Sequence, residues 1–405
     1  MLNTSISPWP SFTQEEADAV AKVLLSNKVN YWTGQECREF EKEFALWADS
    51  KYAVALANGT LALDIALKVL SVGCGDEVIV TSRTFIASAS AIVTAGATPV
   101  FADVDLNSQN VTAETIAAVL TEKTKAIIVV HLAGMPAEMD DIMMLAEKHN
   151  LYVIEDCAQA HGAKYKGKSV GSIGHIGAWS FCQDKIMTTG GEGGMVTTND
   201  KSLWSQMWSY KDHGKSWHAV YEKEHPPGFR WLHESFGTNW RMLEMQAVIG
   251  RIQLKRMAEW TKARRDNAEK ILGICRKYDF LRIPFVPSHM EHAQYKCYVF
   301  VESDLLPAGW NRDRIIDEIN SKGIPCYQGS CSEVYLEKAF DNTDWRPAKS
   351  LPNAKLLGET SLMFLVHPTI AARDIQAVCA ALSDVFTSIA EDINCCLSTM
   401  KLKNE

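Results

Sequence analysis

The stretch YAVALANGTLALDIALKVL (residues 52–70) decides the fold class, because it joins a short apolar strand to a helix through an Asn-Gly-Thr turn. YAVAL predicts a strand, and TLALDIALKVL has the apolar spacing of a helix. Similar units recur up to about residue 200, where runs such as DEVIVT, KAIIVV and LYVIED alternate with helical patterns. This alternation predicts βαβ units, and strands that are almost entirely apolar predict a mostly parallel sheet with helices on both faces.

The chain changes character after this α/β region. Residues 200–240 are rich in aromatic side chains and lack a clear period, so we expect a functional or interfacial loop. A helical pattern over 242–278 follows, then a strand at KCYVFVE, a helix at RDRIIDEINSKG and a last helix at 372–388. Because 405 residues exceed the usual size of a single core, we predict a large domain at 1–255 and a smaller C-terminal α/β domain at 256–405.

Composition and charge exclude several classes of protein. The net charge of −8 argues against nucleic-acid and anionic-membrane partners. No apolar run approaches the roughly 20 residues that span a bilayer, and the first twenty residues lack the pattern of a signal peptide. The eleven cysteines show no metal-ligand or disulfide spacing. We therefore expect a cytoplasmic protein with reduced thiols and no metal site.

Three features that carry chemistry follow predicted strands, where ligands bind in open parallel sheets. Asp156 ends the strand LYVIED, Asn58-Gly59-Thr60 links the first strand to its helix, and Lys185 follows the strand AWSF. Each has an ordinary structural explanation, namely a turn cap, a turn signal and a surface charge. Together they match the needs of pyridoxal phosphate (PLP), which requires a lysine, a carboxylate for its ring nitrogen and an anion cradle.

Longer motifs carry a family resemblance. NGTLALDIAL, VIEDCAQAHGAKYKGKSVGSIGHIGAWSF, KIMTTGGEGGMVTTND and GTNWRMLEMQAVIG occur in this order and fall within residues 10–260. The sequence resembles the DegT/DnrJ/EryC1/StrS family of PLP-dependent sugar aminotransferases, which have the type I (aspartate aminotransferase-like) fold. The resemblance implies that Lys185 forms the Schiff base with PLP and that Asp156 pairs with the pyridine nitrogen. It also implies that Gln159 lies near the phenolic oxygen and that Phe85 stacks on the ring.

The same resemblance assigns the phosphate site. It implies that Gly59 and Thr60 hold the phosphate through backbone groups, together with the Ser180 hydroxyl. Asn239 matches an asparagine that reaches the phosphate of the neighbouring subunit, which implies a homodimer with shared active sites. Simpler roles remain open, with Phe85 in the core, Ser180 bonded to backbone and Asn239 in a turn.

The implied reaction is transamination from an amino acid, by family analogy L-glutamate, to a nucleotide-linked keto-sugar. The acceptor that the resemblance favours is a nucleotide-linked 4-keto-6-deoxyhexose. His213 and Trp217 are candidates for a substrate wall, whereas the segment from Gly323 lacks the histidine often found there in the family. One alternative is a PLP-dependent sugar dehydratase, but in that branch a histidine replaces the lysine. Another is a non-catalytic homologue that binds PLP or a sugar nucleotide for regulation. A dinucleotide-binding dehydrogenase is rejected because no G-x-G-x-x-G follows the first strand.

Overall fold

The computed structural model describes the backbone of residues 6–402 and the side chains of residues 6–396. The strands, in chain order, are β1 Tyr52–Leu56, β2 Glu77–Thr81, β3 Thr98–Ala102, β4 Thr124–Val130, β5 Tyr152–Asp156, β6 Lys164–Tyr165, β7 Lys168–Ser169, β8 Ile176–Ser180, β9 Gly194–Thr198, β10 Leu281–Arg282, β11 Met290–Glu291, β12 Cys297–Val301, β13 Cys326–Tyr327 and β14 Ser361–Phe364. The α-helices are α1 Gln14–Leu25, α2 Glu36–Trp47, α3 Gly59–Val69, α4 Ala87–Thr94, α5 Ala113–Ala117, α6 Met139–His149, α7 Lys201–Tyr210, α8 Glu244–Cys275, α9 Arg312–Ser321, α10 Pro352–Thr360 and α11 Ala372–Leu402.

Seven strands form the main sheet, in the order β1-β9-β8-β5-β4-β2-β3. The pairs from β8 through β5, β4 and β2 to β3 are all parallel, and only β9 runs against its two neighbours. The predicted mostly parallel sheet is therefore confirmed. The parallel order also brings the carboxyl ends of β5 and β8 together at one edge of the sheet.

Both faces of this sheet are buried. In β2, Val78 and Val80 belong to the larger hydrophobic core, whereas Ile79 between them points into a separate core under α5 and α6. In β4, Ile128 likewise belongs to the larger core, and its neighbour Val129 belongs to the separate core. Since successive strand residues point to opposite faces, continuous apolar runs are what a sheet covered by helices on both sides requires.

A second sheet, in the order β10-β12-β14-β13, forms the centre of the C-terminal part. The long helix α8 packs on both parts of the molecule. Ala247 and Leu254 contact the larger core, and Ile271 and Cys275 lie in the core of the small sheet. The predicted boundary between residues 255 and 256 falls inside this helix, and the division into two domains stays a prediction.

Two predicted segments differ from the structure. The final helix was expected at 372–388 but continues as α11 to Leu402. Ile389 and Ile393, beyond the predicted end, extend the apolar face that packs on the small core. The aromatic region also holds more regular structure than expected, with a π-helical turn at His218–Glu222. Within the described part of the chain, no helix is long and apolar enough to cross a membrane.

Candidate active site

A cavity of about 860 Å³ opens at the carboxyl ends of β5 and β8. The start of α3 and the turn before α4 line one side. Residues of the C-terminal part, including Tyr295, Tyr298 and Ser330, close the other side. Seven of the eight predicted site residues line this cavity: Gly59, Thr60, Phe85, Asp156, Gln159, Ser180 and Lys185.

Asp156 is the last residue of β5, and its side chain is almost completely buried. The Ser88 hydroxyl donates to its Oδ2 at 2.8 Å, and the Ala158 N–H donates to its Oδ1 at 3.1 Å. Burial raises the pKa of Asp156, and these hydrogen bonds and the charge of Lys185 oppose that rise. No cation within ion-pair distance neutralises this buried carboxylate among the described residues, so it is suited to a cationic ligand.

Lys185 lies in the turn that follows β8, and only 16% of its side chain is exposed. Its Nζ is 3.9 Å from Oδ1 of Asp184 and 5.4 Å from the centre of the Tyr295 ring. The indole N–H of Trp9 donates to the Lys185 carbonyl at 2.8 Å and fixes the backbone there. This lysine is therefore not an ordinary surface charge, because it is directed into the cavity.

The start of α3 forms an anion cradle. Asn58 caps the helix by accepting the Leu61 N–H at 3.0 Å. The first N–H groups of a helix have no partner within it, which leaves those of Gly59 and Thr60 for an anion. A Cβ at Gly59 would lie 2.5 Å from the Ser180 Cβ, so glycine is what allows the helix to approach the end of β8.

Gln159 and Phe85 both line the cavity. The Gln159 Oε1 accepts the Ala133 N–H at 2.9 Å, and this bond leaves its amide nitrogen as the donor end of the side chain. Phe85 is 69% exposed and lines the cavity. The alternative that Phe85 belongs to the core is therefore wrong.

Asn239 does not line this cavity. It lies in the aromatic loop and forms a bridge with Asp212. His213 and Trp217, expected as a substrate wall, also lie away from the cavity of their own chain. Trp217 packs between Trp204, Trp208 and Tyr221 instead. The aromatic pattern there reflects this cluster rather than a wall of the same chain's cavity.

The polar residues at the cavity that were not predicted from the sequence include Asp184, Tyr295 and Lys296. The Tyr295 hydroxyl donates to Oδ2 of Asp184 at 2.5 Å. Burial works against ionisation of Asp184, but Lys185 and this hydrogen bond lower its pKa overall. The position of Asp184 next to Lys185 was a usable signal, whereas Tyr295 and Lys296 sit beside the apolar strand β12 and resemble core residues.

A buried polar cluster supports β5 directly behind Asp156. The Glu155 carboxylate accepts N–H groups from Gly171 at 2.7 Å and Gly174 at 2.6 Å, and it bonds His131 at 3.0 Å. Cys157 is close enough to complete a set of potential metal ligands. Because Glu155 is already fully hydrogen-bonded, we interpret this cluster as structural.

These features fit PLP. The N–H groups at the start of α3 suit a phosphate. A Cβ at Gly59 would overlap with Ser180 at this position, so the site needs glycine there. Among the described residues, the buried carboxylate of Asp156 forms no ion pair, which suits a group that would face a pyridinium nitrogen. Lys185 supplies an amine in the same cavity.

Comparisons with known proteins agree with this site. The family model described as the DegT/DnrJ/EryC1/StrS aminotransferase family matches residues 10–383. GDP-perosamine synthase of Caulobacter vibrioides is 37% identical over 93% of this chain and 96% of its own. The dTDP-3-amino-3,6-dideoxy-alpha-D-galactopyranose transaminase of Aneurinibacillus thermoaerophilus is 33% identical over 92% of this chain and 95% of its own.

Solved structures show the same fold. An aminotransferase from Psychrobacter cryohalolentis is 68% identical, with a TM-score of 0.94 over 95% of this chain and all of the other. The PMP-form of the putative sugar aminotransferase Spr1654 from Streptococcus pneumoniae is 25% identical, with a TM-score of 0.84 over 96% of this chain and all of the other. The predictions of a type I fold and of PLP as cofactor are confirmed, and the chain belongs to the DegT/DnrJ/EryC1/StrS aminotransferase family.

Proposed function

We propose that this protein transfers an amino group from an amino acid, L-glutamate, to a nucleotide-linked keto-deoxysugar. The observation that carries the proposal is the meeting of Lys185, Asp156 and the start of α3 around one cavity. The names of the two relatives described above, each similar over almost its whole length, support a nucleotide sugar as the acceptor.

Each side chain has a defined task in this proposal. When bound, PLP withdraws electrons from the bond that breaks at the reacting carbon. Lys185 Nζ would hold the cofactor, and its amine would move the proton at the α-carbon of the donor. The Asp156 carboxylate would keep the proton on the ring nitrogen, because neighbouring opposite charges favour each other's ionised form. Phe85 and Gln159 orient the ring.

The anion cradle fixes the cofactor at its other end. The N–H groups of Gly59 and Thr60 bind the phosphate at the positive end of α3, and the Ser180 hydroxyl donates from β8. Because this cradle and Lys185 hold opposite ends, the reacting atoms stay aligned while Lys185 is released.

For the acceptor we propose a 4-keto-6-deoxyhexose. A 3-keto sugar is the second candidate, because the Aneurinibacillus relative is named for a 3-amino sugar. UDP-, dTDP- and GDP-linked 4-keto and 3-keto sugars, each assayed with L-glutamate, distinguish the two. Turnover with only the 3-keto sugars would contradict the first choice.

We also propose a cytoplasmic homodimer in which Asn239 completes the phosphate site of the neighbouring subunit. Asn239 lies outside its own cavity, and the same loop exposes Phe229, Trp231 and Phe236 at 78% or more of their surface. Exposed aromatic side chains in one loop are typical of a protein interface. Buried free thiols such as Cys37 and Cys157 support a reducing compartment.

Borohydride reduction followed by peptide mass spectrometry tests the central claim. We expect PLP to be fixed to Lys185 and the Lys185→Ala variant to lose transamination. A protein without PLP, or a Lys185→Ala variant with near-normal turnover, would remove the proposal. A dehydratase would instead release a deoxygenated sugar that carries no new amino group, and a regulatory homologue would bind PLP without turnover.

A further inference from the structure

A second cavity, of about 470 Å³, adjoins the active site. Asp184, Tyr295 and Lys296 line both cavities and form the wall between them. The chain segment from Ile6 to Trp9 covers the second cavity, and the carbonyl of Pro8 accepts the Thr369 hydroxyl at 3.0 Å. The second cavity therefore begins at Asp184, the residue next to Lys185 in the sequence.

Arg264 lines this second cavity, and its guanidinium is fully buried and forms no ion pair with any carboxylate of the described residues. Its Nη1 donates to the Tyr295 carbonyl at 3.4 Å, and the group lies 5.0 Å from the Trp9 ring. Its Nε and Nη2 are buried and have no hydrogen-bond partner in the part of the chain that the structure describes. Burial lowers the pKa of Arg264 to about 9. An uncompensated buried cation is costly, so an anion at this position would relieve that cost.

Lys296 adds a second cation to the same cavity. It lines the shared wall, and within the described chain its Nζ makes no hydrogen bond or ion pair, only a contact 4.8 Å from the Tyr295 ring. Burial lowers the pKa of Lys296 to about 8, Asp184 opposes this, and the charges of Arg264 and Lys185 add to it.

The remaining groups at the second cavity do not balance these charges. Asp184 is the one carboxylate among the described residues that line it, and it already accepts the Tyr295 hydroxyl at 2.5 Å. His367 is engaged with the Thr369 hydroxyl at 2.9 Å, and burial lowers its pKa to about 3, which leaves it neutral. The cavity therefore has an excess of positive charge beside Lys185.

We propose that the second cavity is an anion subsite in which Lys296 and Arg264 bind a carboxylate of the amino-acid donor. The inference rests on the proposed function, because it assigns the donor to that reaction. A donor must bring its nitrogen to Lys185, and its carboxylates are only a few bonds from that nitrogen. A planar carboxylate also matches the two unpartnered donors of Arg264. The diphosphate of the nucleotide sugar is the other source of an anion that this site would accept.

Binding of glutarate to the holoenzyme, measured by calorimetry, tests the subsite without turnover, because glutarate has both carboxylates of glutamate but no amine. We expect Lys296→Gln to weaken glutarate binding about ten- to hundredfold. The KM for glutamate should rise by a similar factor, with kcat little changed. Lys296→Arg should retain binding. The control is Lys148→Gln, which makes the same charge change at an exposed lysine of α6 and should have no effect.

Three outcomes overturn the inference. One is equal glutarate affinity in Lys296→Gln and the wild type. The second is a Lys296→Gln variant that loses binding of UDP, dTDP and GDP but binds glutarate as the wild type does, which would assign the site to the diphosphate. The third is full glutarate affinity in a folded Arg264→Lys variant, which keeps the charge but loses the paired donors. Lys296-dependent glutarate binding without amination of any keto-sugar would support the subsite and refute the proposed function, so the two failures are distinguishable.

Discussion

Replacing Gly59 by alanine tests the anion cradle, because the structure gives the size of the resulting overlap. The new Cβ would lie 2.5 Å from the Ser180 Cβ, 2.8 Å from its Oγ and 3.0 Å from its Cα. Carbon atoms pack at about 3.5 Å or more, so the helix start and the strand end must separate by about 1 Å. Rotation of the Ser180 side chain does not remove the overlap, because the Cα also takes part.

A displacement of this size breaks hydrogen bonds to a bound phosphate. An N–H···O distance near 2.9 Å would lengthen to about 3.9 Å, beyond the range of a hydrogen bond. Hydrogen bonds to charged groups are each worth about 1.5–3 kcal/mol. Loss of one or two of them, about 3 kcal/mol in all, corresponds to roughly hundredfold weaker cofactor binding. Overpacking should also lower the free energy of unfolding by about 1–3 kcal/mol.

The assay is titration of the cofactor-free protein with PLP, followed by tryptophan fluorescence, with thermal unfolding measured on the same samples. Gly273→Ala is the matched control, since nothing lies within 4 Å of the Cβ at that helical position. It should bind PLP normally and gain about 0.5–1 kcal/mol of stability from its helical position. A Gly59→Ala variant that binds PLP within about threefold of the wild type would refute the reasoning.

Three further predictions concern single side chains. Asp156→Asn should leave the cofactor-free protein as stable or more stable at neutral pH, because burial raises the pKa of Asp156 and penalises its ionised form. In calorimetry the variant should lose most of the stabilisation by PLP, and a less stable cofactor-free variant would contradict this. Asn239→Ala should weaken PLP retention, measured by dialysis, and unchanged retention would exclude a role at the shared site. His161 has two buried ring nitrogens without partners, and burial lowers its pKa from 6.5 to about 3. Between these values the unfolded chain binds more protons, so this contribution to stability falls as the pH drops. His161→Phe should therefore unfold at a higher temperature, with a larger gain at pH 5 than at pH 7, and an equal gain at both would refute this.

Much of the fold was predictable from local pattern. Apolar runs such as KAIIVV identify strands buried on both faces, and the residues that end them, such as Asp156, reach the site by the geometry of parallel sheets. The roles of Phe85, Gln159 and Asn239 came from the family resemblance alone. For Phe85 and Gln159 the structure adds a position at the cavity, while their chemical roles stay predictions.

Residues brought in by the second sheet were not predictable from local pattern. Lys296 precedes an apolar strand, and Arg264 lies in a charged helical run that is typical of a solvated face. Their meeting with Asp184 depends on how α8 and β12 pack against the main sheet, which no local period encodes. The length of α11 was missed for a similar reason, because its last apolar positions acquire meaning only against the small core.

The helix α8 has a consequence for recombining this enzyme with its relatives. One continuous helix supplies Leu254 to the large core and Ile271 to the small one. Each residue turns an α-helix by about 100°. A chimera joined within α8 that gains or loses one residue would rotate its distal half by that angle and turn Ile271 out of its core. The number of residues between Leu254 and Ile271 therefore sets the orientation of the distal half of α8, and an exchange of C-terminal parts has to preserve that number.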